Sequence, residues 1–201
     1  MRNLSTMESA DMNNILGWMT NQECDALADL AKLVPDSGTI VEVGSMFGRS
    51  ATIWAQSNPT VTVICIDTFI ENYHSRHDID WEICHCHKFP LNGITYNLYE
   101  EFQKNTQHYD NIKIIRGYSP QNIQYTGQAI DLFFLDAGHS NPNDWDNIEF
   151  FLPYIKSGGK ICGHDYDKIF PDVIDNVERL EKMLGKTVTV FKNTSIWMIE
   201  K

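Results

Sequence analysis

Four side chains in the C-terminal half have the types and grouping to do chemistry: Asp136, His139, His164 and Asp165. The carboxylates are hard oxygen ligands of the kind that hold Mg2+ or Ca2+. With the imidazoles included, the set also suits a borderline metal such as Fe2+ or Zn2+. His139, three residues after Asp136, is a candidate general base for a hydroxyl proton. The plainer alternatives are a helix N-cap for Asp136 and hydrogen-bonded loop positions for the two histidines.

A second group precedes these. The run Thr39-Ile40-Val41-Glu42-Val43 leads into Gly44-x-x-x-Gly48 and then into helix-compatible Ala51-Thr52-Ile53-Trp54-Ala55. A buried strand, a tight turn and a helix start form the floor of a ligand site in open α/β sheets. The glycine spacing is not G-x-G-x-x-G, which disfavours a pyrophosphate-bearing dinucleotide. Glu42 would repel phosphate and attract an ammonium group. Asp67 ends the next apolar run, where an acid can accept hydrogen bonds from ribose hydroxyls; a turn cap is the alternative. A cofactor with a ribose, a cationic amino-acid part and no phosphate fits these residues better than NAD.

The positions depend on the elements between them. Thr20-Asn21-Gln22-Glu23 is a capping box before an Ala/Leu-rich helix that ends near Pro35-Asp36-Ser37-Gly38. Strands are expected near 39–43, 61–66, 111–115, 129–135 and 160–163, with Ser157-Gly158-Gly159 as the turn before the last. Helices are expected near 48–56, 95–107, 143–155 and 173–184, and 187–199 reads as a hairpin around Lys192-Asn193-Thr194. This alternation implies a three-layer α/β fold, a doubly wound parallel sheet with one antiparallel strand at the end. Gly44, Asp67, Ser119, Asp136 and Asp165 then all fall at strand carboxyl ends.

The chain has 201 residues, 16 basic against 27 acidic, and a net charge of −11. One domain over 1–201 is the expectation. The charge argues against nucleic acid and anionic membrane as partners. No apolar run approaches the ~20 residues of a membrane span. The five cysteines are odd in number, and Cys65 and Cys162 lie in apolar runs, so a reducing, cytoplasmic setting is expected. A homodimer is a further expectation. Trp54, Trp145 and Trp197 read as core. Residues 68–94, with Phe69, Tyr73, Trp81 and Phe89, are too long for a simple connection and read as a lid over an acceptor pocket. Cys84-His85-Cys86-His87 lacks zinc-ligand spacing and a partner pair.

Several pieces together resemble the class I S-adenosylmethionine-dependent methyltransferases, and within them the small family that includes macrolide-sugar O-methyltransferases. They are Val41-Glu42-Val43-Gly44-Ser45 with Gly48-Arg49-Ser50, Cys65-Ile66-Asp67, Gly117-Tyr118-Ser119, Leu135-Asp136-Ala137-Gly138-His139-Ser140, and Lys156-Ser157-Gly158-Gly159 with Gly163-His164-Asp165-Tyr166. The resemblance implies a Rossmann-like sheet of order 3-2-1-4-5-7-6 with strand 7 antiparallel. It implies S-adenosylmethionine as cofactor: Glu42 and the turn of Gly44, Ser45 and Gly48 on the methionine part, Asp67 on the ribose, Tyr118 and Ser119 beside the adenine, and Asp136 at the same site. It further implies Mg2+ or another divalent cation on Asp136, His164 and Asp165, with His139 and Asp136 as the catalytic pair acting on a small-molecule hydroxyl. Asn141 and Asn147 depart from the family's usual Tyr and Asp. Two other classes stay open: a cofactor- or metal-binding protein of this fold without methyl transfer, and a metal-dependent oxygenase using His139, His164 and a carboxylate.

Overall fold

The computed structural model describes residues 15–70, 73–74 and 95–201. The element order is α1 Asn21–Lys32, β1 Thr39–Val43, α2 Arg49–Ser57, β2 Thr62–Asp67, β3 Tyr73–His74, β4 Thr95–Tyr96, α3 Leu98–Thr106, β5 Ile112–Arg116, β6 Ile130–Leu135, α4 Asn143–Phe151, β7 Ile155–Gly163, α5 Pro171–Leu184, β8 Thr189–Val190 and β9 Trp197–Glu200. Seven strands form one sheet in the order β5-β2-β1-β6-β7-β9-β8. Numbering only these strands along the chain, that is 3-2-1-4-5-7-6. Strands β5, β2, β1, β6 and β7 are mutually parallel, and β9 runs antiparallel to both of its neighbours.

The residues explain the layers. All positions of β1 and β6 are buried, as expected for central parallel strands covered on both faces. Ile40 on β1 packs in the core under α1, α2 and α3 with Leu27, Trp54 and Phe102. Val41 and Val43 point the other way, into the core under α4 and α5 with Ile148, Phe151 and Val177. That period of two puts Glu42 on the α1/α2 face. Trp54, Trp145 and Trp197 are all buried, as are Cys65 and Cys162.

The helix expected near 95–107 starts only at Leu98, after the strand Thr95–Tyr96, and two further boundaries differ from the sequence reading. The fourth helix stops at Phe151, and Leu152–Tyr154 form a single 3-10 turn; Pro153 has no N–H to continue an α-helix. The Ser157-Gly158-Gly159 turn lies inside β7 rather than before it. The register jumps from Ile130 opposite Ile155 to Leu132 opposite Lys160, so 156–159 bulge from the ladder. The Gly158 N–H donates to Lys201 O at 2.8 Å, and Lys156 Nζ reaches Asp131 at 2.7 Å.

The lid expectation falls mostly outside the described residues, with Trp81, Phe89 and Cys84–His87 among those not described. The two ends of the segment do meet: β3 and β4 pair antiparallel, and the Leu98 N–H donates to Ile70 O. No helix among the described residues is long and apolar enough to cross a membrane.

Candidate active site

Backbone hydrogen bonds extend past the strands and align their carboxyl ends. Gly117 N–H donates to Asp67 O, Gly44 N–H to Ile66 O, Asp136 N–H to Val43 O and His164 N–H to Leu135 O. The residues after each strand therefore share one edge of the sheet. Above them lies a cavity of about 400 Å3 lined by Gly44, Asp67, Tyr118, Ser119, Asp136 and His139. That size suits a small ligand. Trp18, Met46 and Asn143 also line it.

The floor is a clasp. Asp67 Oδ2 accepts the N–H of Ser45 at 2.9 Å and of Met46 at 2.8 Å, and Oδ1 accepts the N–H of Phe69 at 2.8 Å. Asp67 is thus a turn anchor as well as a cavity residue. The two N–H groups that a pyrophosphate would need are committed to a carboxylate, which independently disfavours a dinucleotide. Gly44 has φ +95°, and a Cβ there would stand 1.8 Å from Asp136 O. Only glycine lets the ends of β1 and β6 come this close.

Three residues of the expected turn set do not line the cavity. Glu42 is fully buried on the α1/α2 face, where its Oε2 accepts the Trp54 Nε1–H at 2.8 Å; burial pushes its carboxyl up to about 7. Ser45 is buried, and its N–H, not its side chain, faces the site through Asp67. Gly48 caps α2 with φ +84° against Phe102 and Thr106.

At the other wall, two asparagines pin Ser119. Asn147, fully buried, accepts the Ser119 hydroxyl on Oδ1 and donates Nδ2–H to Ser119 O at 3.2 Å. Asn143 donates to the same carbonyl at 2.9 Å. The pair sits one turn apart on α4, a spacing visible in the sequence once α4 is recognised. Asn147, the departure from the family pattern, is therefore the anchor of the cavity-lining Ser119. Tyr118 is half exposed.

In the acid–imidazole cluster the two histidines are held differently. His139 Nδ1 lies 3.1 Å from Asp165 Oδ2, and Asp136, His139 and Asp165 bring ligand atoms within 4.8 Å of one another. His164 does not join that set. Its Nε2 lies 3.1 Å from Glu23 Oε1, and its Nδ1 lies 3.1 Å from Asp165 Oδ2 and 3.7 Å from Asp136 Oδ1. Burial works against a charge on His164, but the carboxylates of Asp136, Asp165 and Glu23 outweigh it and raise its pKa well above the usual value. With a carboxylate oxygen 3.1 Å from each of its ring nitrogens, His164 does not turn a free nitrogen toward a cation in that set. The histidine with cation-holding geometry is His139, read from the sequence as the base. Burial raises the Asp136 carboxyl despite the nearby His164. Burial opposes ionisation of Asp165 as well, yet the hydrogen bond and charge of His164 bring its pKa below the usual range.

Glu23 was legible only as a helix cap. It also supports this cluster, and burial is outweighed by His164, Thr20 and Ser195, which lower its carboxyl to about 2. Asp144, buried behind the cluster, has its carboxyl raised to about 6 by burial.

This fold is that of a methyltransferase domain. A family described as a methyltransferase domain matches residues 41–166, well over half of the chain, and the chain belongs to that family. Solved structures share the fold at low identity. One, described as a candidate caffeoyl-CoA O-methyltransferase from Staphylococcus aureus, is 16% identical with a TM-score of 0.64 over 96% of this chain and 88% of that one. The O-methyltransferase NovP is 16% identical with a TM-score of 0.63 over 90% and 79%. Cofactor-bound Rv0187 from MTB is 15% identical with a TM-score of 0.63 over 98% and 92%. Comparison with curated proteins finds no match.

Proposed function

We propose that the protein binds S-adenosylmethionine and transfers its methyl group to a hydroxyl of a small molecule. One observation carries this reading: Asp67 and His139 line the same cavity, and His139 Nδ1 lies 3.1 Å from Asp165 Oδ2. A ribose-binding acid and a base oriented by a carboxylate are thus available to a single bound assembly. The cofactor supplies an electrophilic methyl group on a sulfonium. Transfer would leave the methyl–sulfur electron pair on sulfur and form a methyl–oxygen bond in place of the methyl–sulfur bond.

The chain's own groups do the rest. Asp67 accepts hydrogen bonds from the ribose, Tyr118 and Ser119 border the adenine, and Gly44 gives the methionine part room to approach backbone. Glu42 acts through the turn rather than by touching the ligand. With Nδ1–H directed at Asp165, His139 keeps its Nε2 lone pair to accept the acceptor's hydroxyl proton. Asp165, held ionised, stabilises the resulting imidazolium. The net charge of −11 supports a small acceptor over a nucleic acid. The test is transfer of a labelled methyl group to hydroxylated small molecules by the wild type and not by His139→Ala.

The approach of Asp136, His139 and Asp165 to within 4.8 Å favours a second form of the same reading. These three residues would hold a divalent cation, which lowers the pKa of a bound hydroxyl. The two forms compete for His139 Nδ1, since a ligating nitrogen cannot also carry the proton donated to Asp165. Turnover that survives a chelator supports the metal-free pair; loss restored by Mg2+ or Mn2+ supports the cation. The engagement of His164 by Glu23 and Asp165 disfavours the oxygenase alternative, which needs a second free imidazole.

A further inference from the structure

Asp165 has φ +62° and His139 φ +54°, the left-handed region that non-glycine residues seldom occupy unless their surroundings hold them there. The support for Asp165 comes from both ends of the chain. Its N–H donates to Ser195 Oγ at 3.2 Å, and the next N–H, of Tyr166, donates to Ser195 O at 3.0 Å. Ser195 Oγ donates in turn to Glu23 Oε1 at 3.0 Å, and the Ser195 N–H reaches the same oxygen at 3.1 Å. That oxygen also lies 3.1 Å from His164 Nε2, while His164 Nδ1 lies 3.1 Å from Asp165 Oδ2. The Glu23 carboxylate therefore grips Asp165 twice, at its backbone through Ser195 and at its side chain through His164.

A capping-box glutamate needs only one oxygen, returned to the N-cap N–H. In Glu23 that is Oε2, which accepts Thr20 N–H at 2.8 Å and Thr20 Oγ–H at 3.0 Å. Its Oε1 is left for the cluster. Glu23 is only 6% exposed, so this second use takes place away from solvent.

We propose that Glu23 is a positioning residue for the catalytic cluster: through Ser195 and His164 it holds Asp165 in its left-handed conformation, and so sets the imidazole of His139. The functional consequence rests on the reading of His139 and Asp165 as the proton-accepting pair; the conformational consequence does not.

The experiment separates these. Glu23→Gln keeps the size of the side chain but replaces one oxygen with a donor, so it cannot serve Thr20, Ser195 and His164 together. Thr20→Ala removes the cap contact alone and controls for lost helix stability. In Glu23→Gln and Ser195→Ala, backbone chemical shifts of Asp165 should leave their wild-type values, with kcat falling at least tenfold. The KM for the cofactor and the affinity for S-adenosylhomocysteine should stay within about twofold. Thr20→Ala should lower the melting temperature and leave the Asp165 shifts and kcat unchanged. Unmoved Asp165 shifts in a folded Glu23→Gln, or an equal kcat loss in Thr20→Ala, overturns the proposal. Absence of methyl transfer by the wild type would count against the proposed function, and the chemical shifts would still decide the role of Glu23.

Discussion

His139 Nδ1 stands 3.1 Å from Asp165 Oδ2, joining the loop after β6 to the loop after β7. Because β6 and β7 are adjacent and parallel, two residues distant in sequence meet as one imidazole–carboxylate contact. His139 lines the cavity that Asp67 bounds on the other side of β1.

His139→Ala removes the base without touching the floor of the cavity. The expected result is a fall in kcat of roughly 10²–10⁴-fold, the usual contribution of a positioned base. Affinity for S-adenosylhomocysteine should stay within about threefold of wild type. Steady-state kinetics and calorimetry on the same preparations check this.

Asp67→Ala releases the N–H groups of Ser45, Met46 and Phe69. Hydrogen bonds to a charged acceptor contribute about 1.5–3 kcal/mol each, though the freed groups near the cavity regain water. Loss of about 2 kcal/mol of stability is expected, measured by denaturant unfolding. Because the turn and the ribose contact are lost together, cofactor affinity should fall at least tenfold.

Glu42 makes stability depend on pH in a definite direction. Burial holds its carboxyl up to about 7 in the folded chain, against an ordinary value of 4.5. The folded state therefore holds the extra proton between these values, and stability falls as pH rises through that window. Glu42→Gln keeps an acceptor for the Trp54 Nε1–H without a buried charge. It should stabilise the fold by on the order of 2–3 kcal/mol at pH 8 and by little at pH 4. Unfolding midpoints at the two pH values check this.

Asn147→Ala leaves the Ser119 hydroxyl without its buried acceptor. A loss of about 1–3 kcal/mol is expected, together with weaker adenosine binding as the Gly117–Ser119 segment loosens. Asn147→Asp, which keeps the acceptor and loses the donor to Ser119 O, should fall between the two.

Much of the frame was legible in the sequence because its signals are local. The β-branched run of 39–43, the capping box at Thr20 and the hairpin around Asn193 each specify their element without distant partners. The strand-end polar residues then fell into one layer by topology alone. The site was less legible, because orientation is set by packing. The sequence shows that His139 and His164 each lie near an aspartate, but not which ring nitrogen meets which oxygen. Glu23, contributed by α1, holds His164, and His139 stands in its place in the candidate cation set with Asp136 and Asp165. Glu42 was placed in the cavity by motif; strand alternation turned it toward Trp54. Asp67 is the turn anchor that one of its readings expected, and it also bounds the cavity. The Gly158 bulge depends on Lys201, distant in sequence, and no local pattern announces it.

The measurement to make is a calorimetric titration of the wild-type protein with S-adenosylhomocysteine, with NAD as control. Micromolar, one-to-one binding of S-adenosylhomocysteine, none of NAD, and a loss of at least tenfold in Asp67→Ala is the expected result. No binding of S-adenosylhomocysteine, or binding that Asp67→Ala leaves unchanged, would contradict the cofactor site described between Gly44, Asp67 and Ser119.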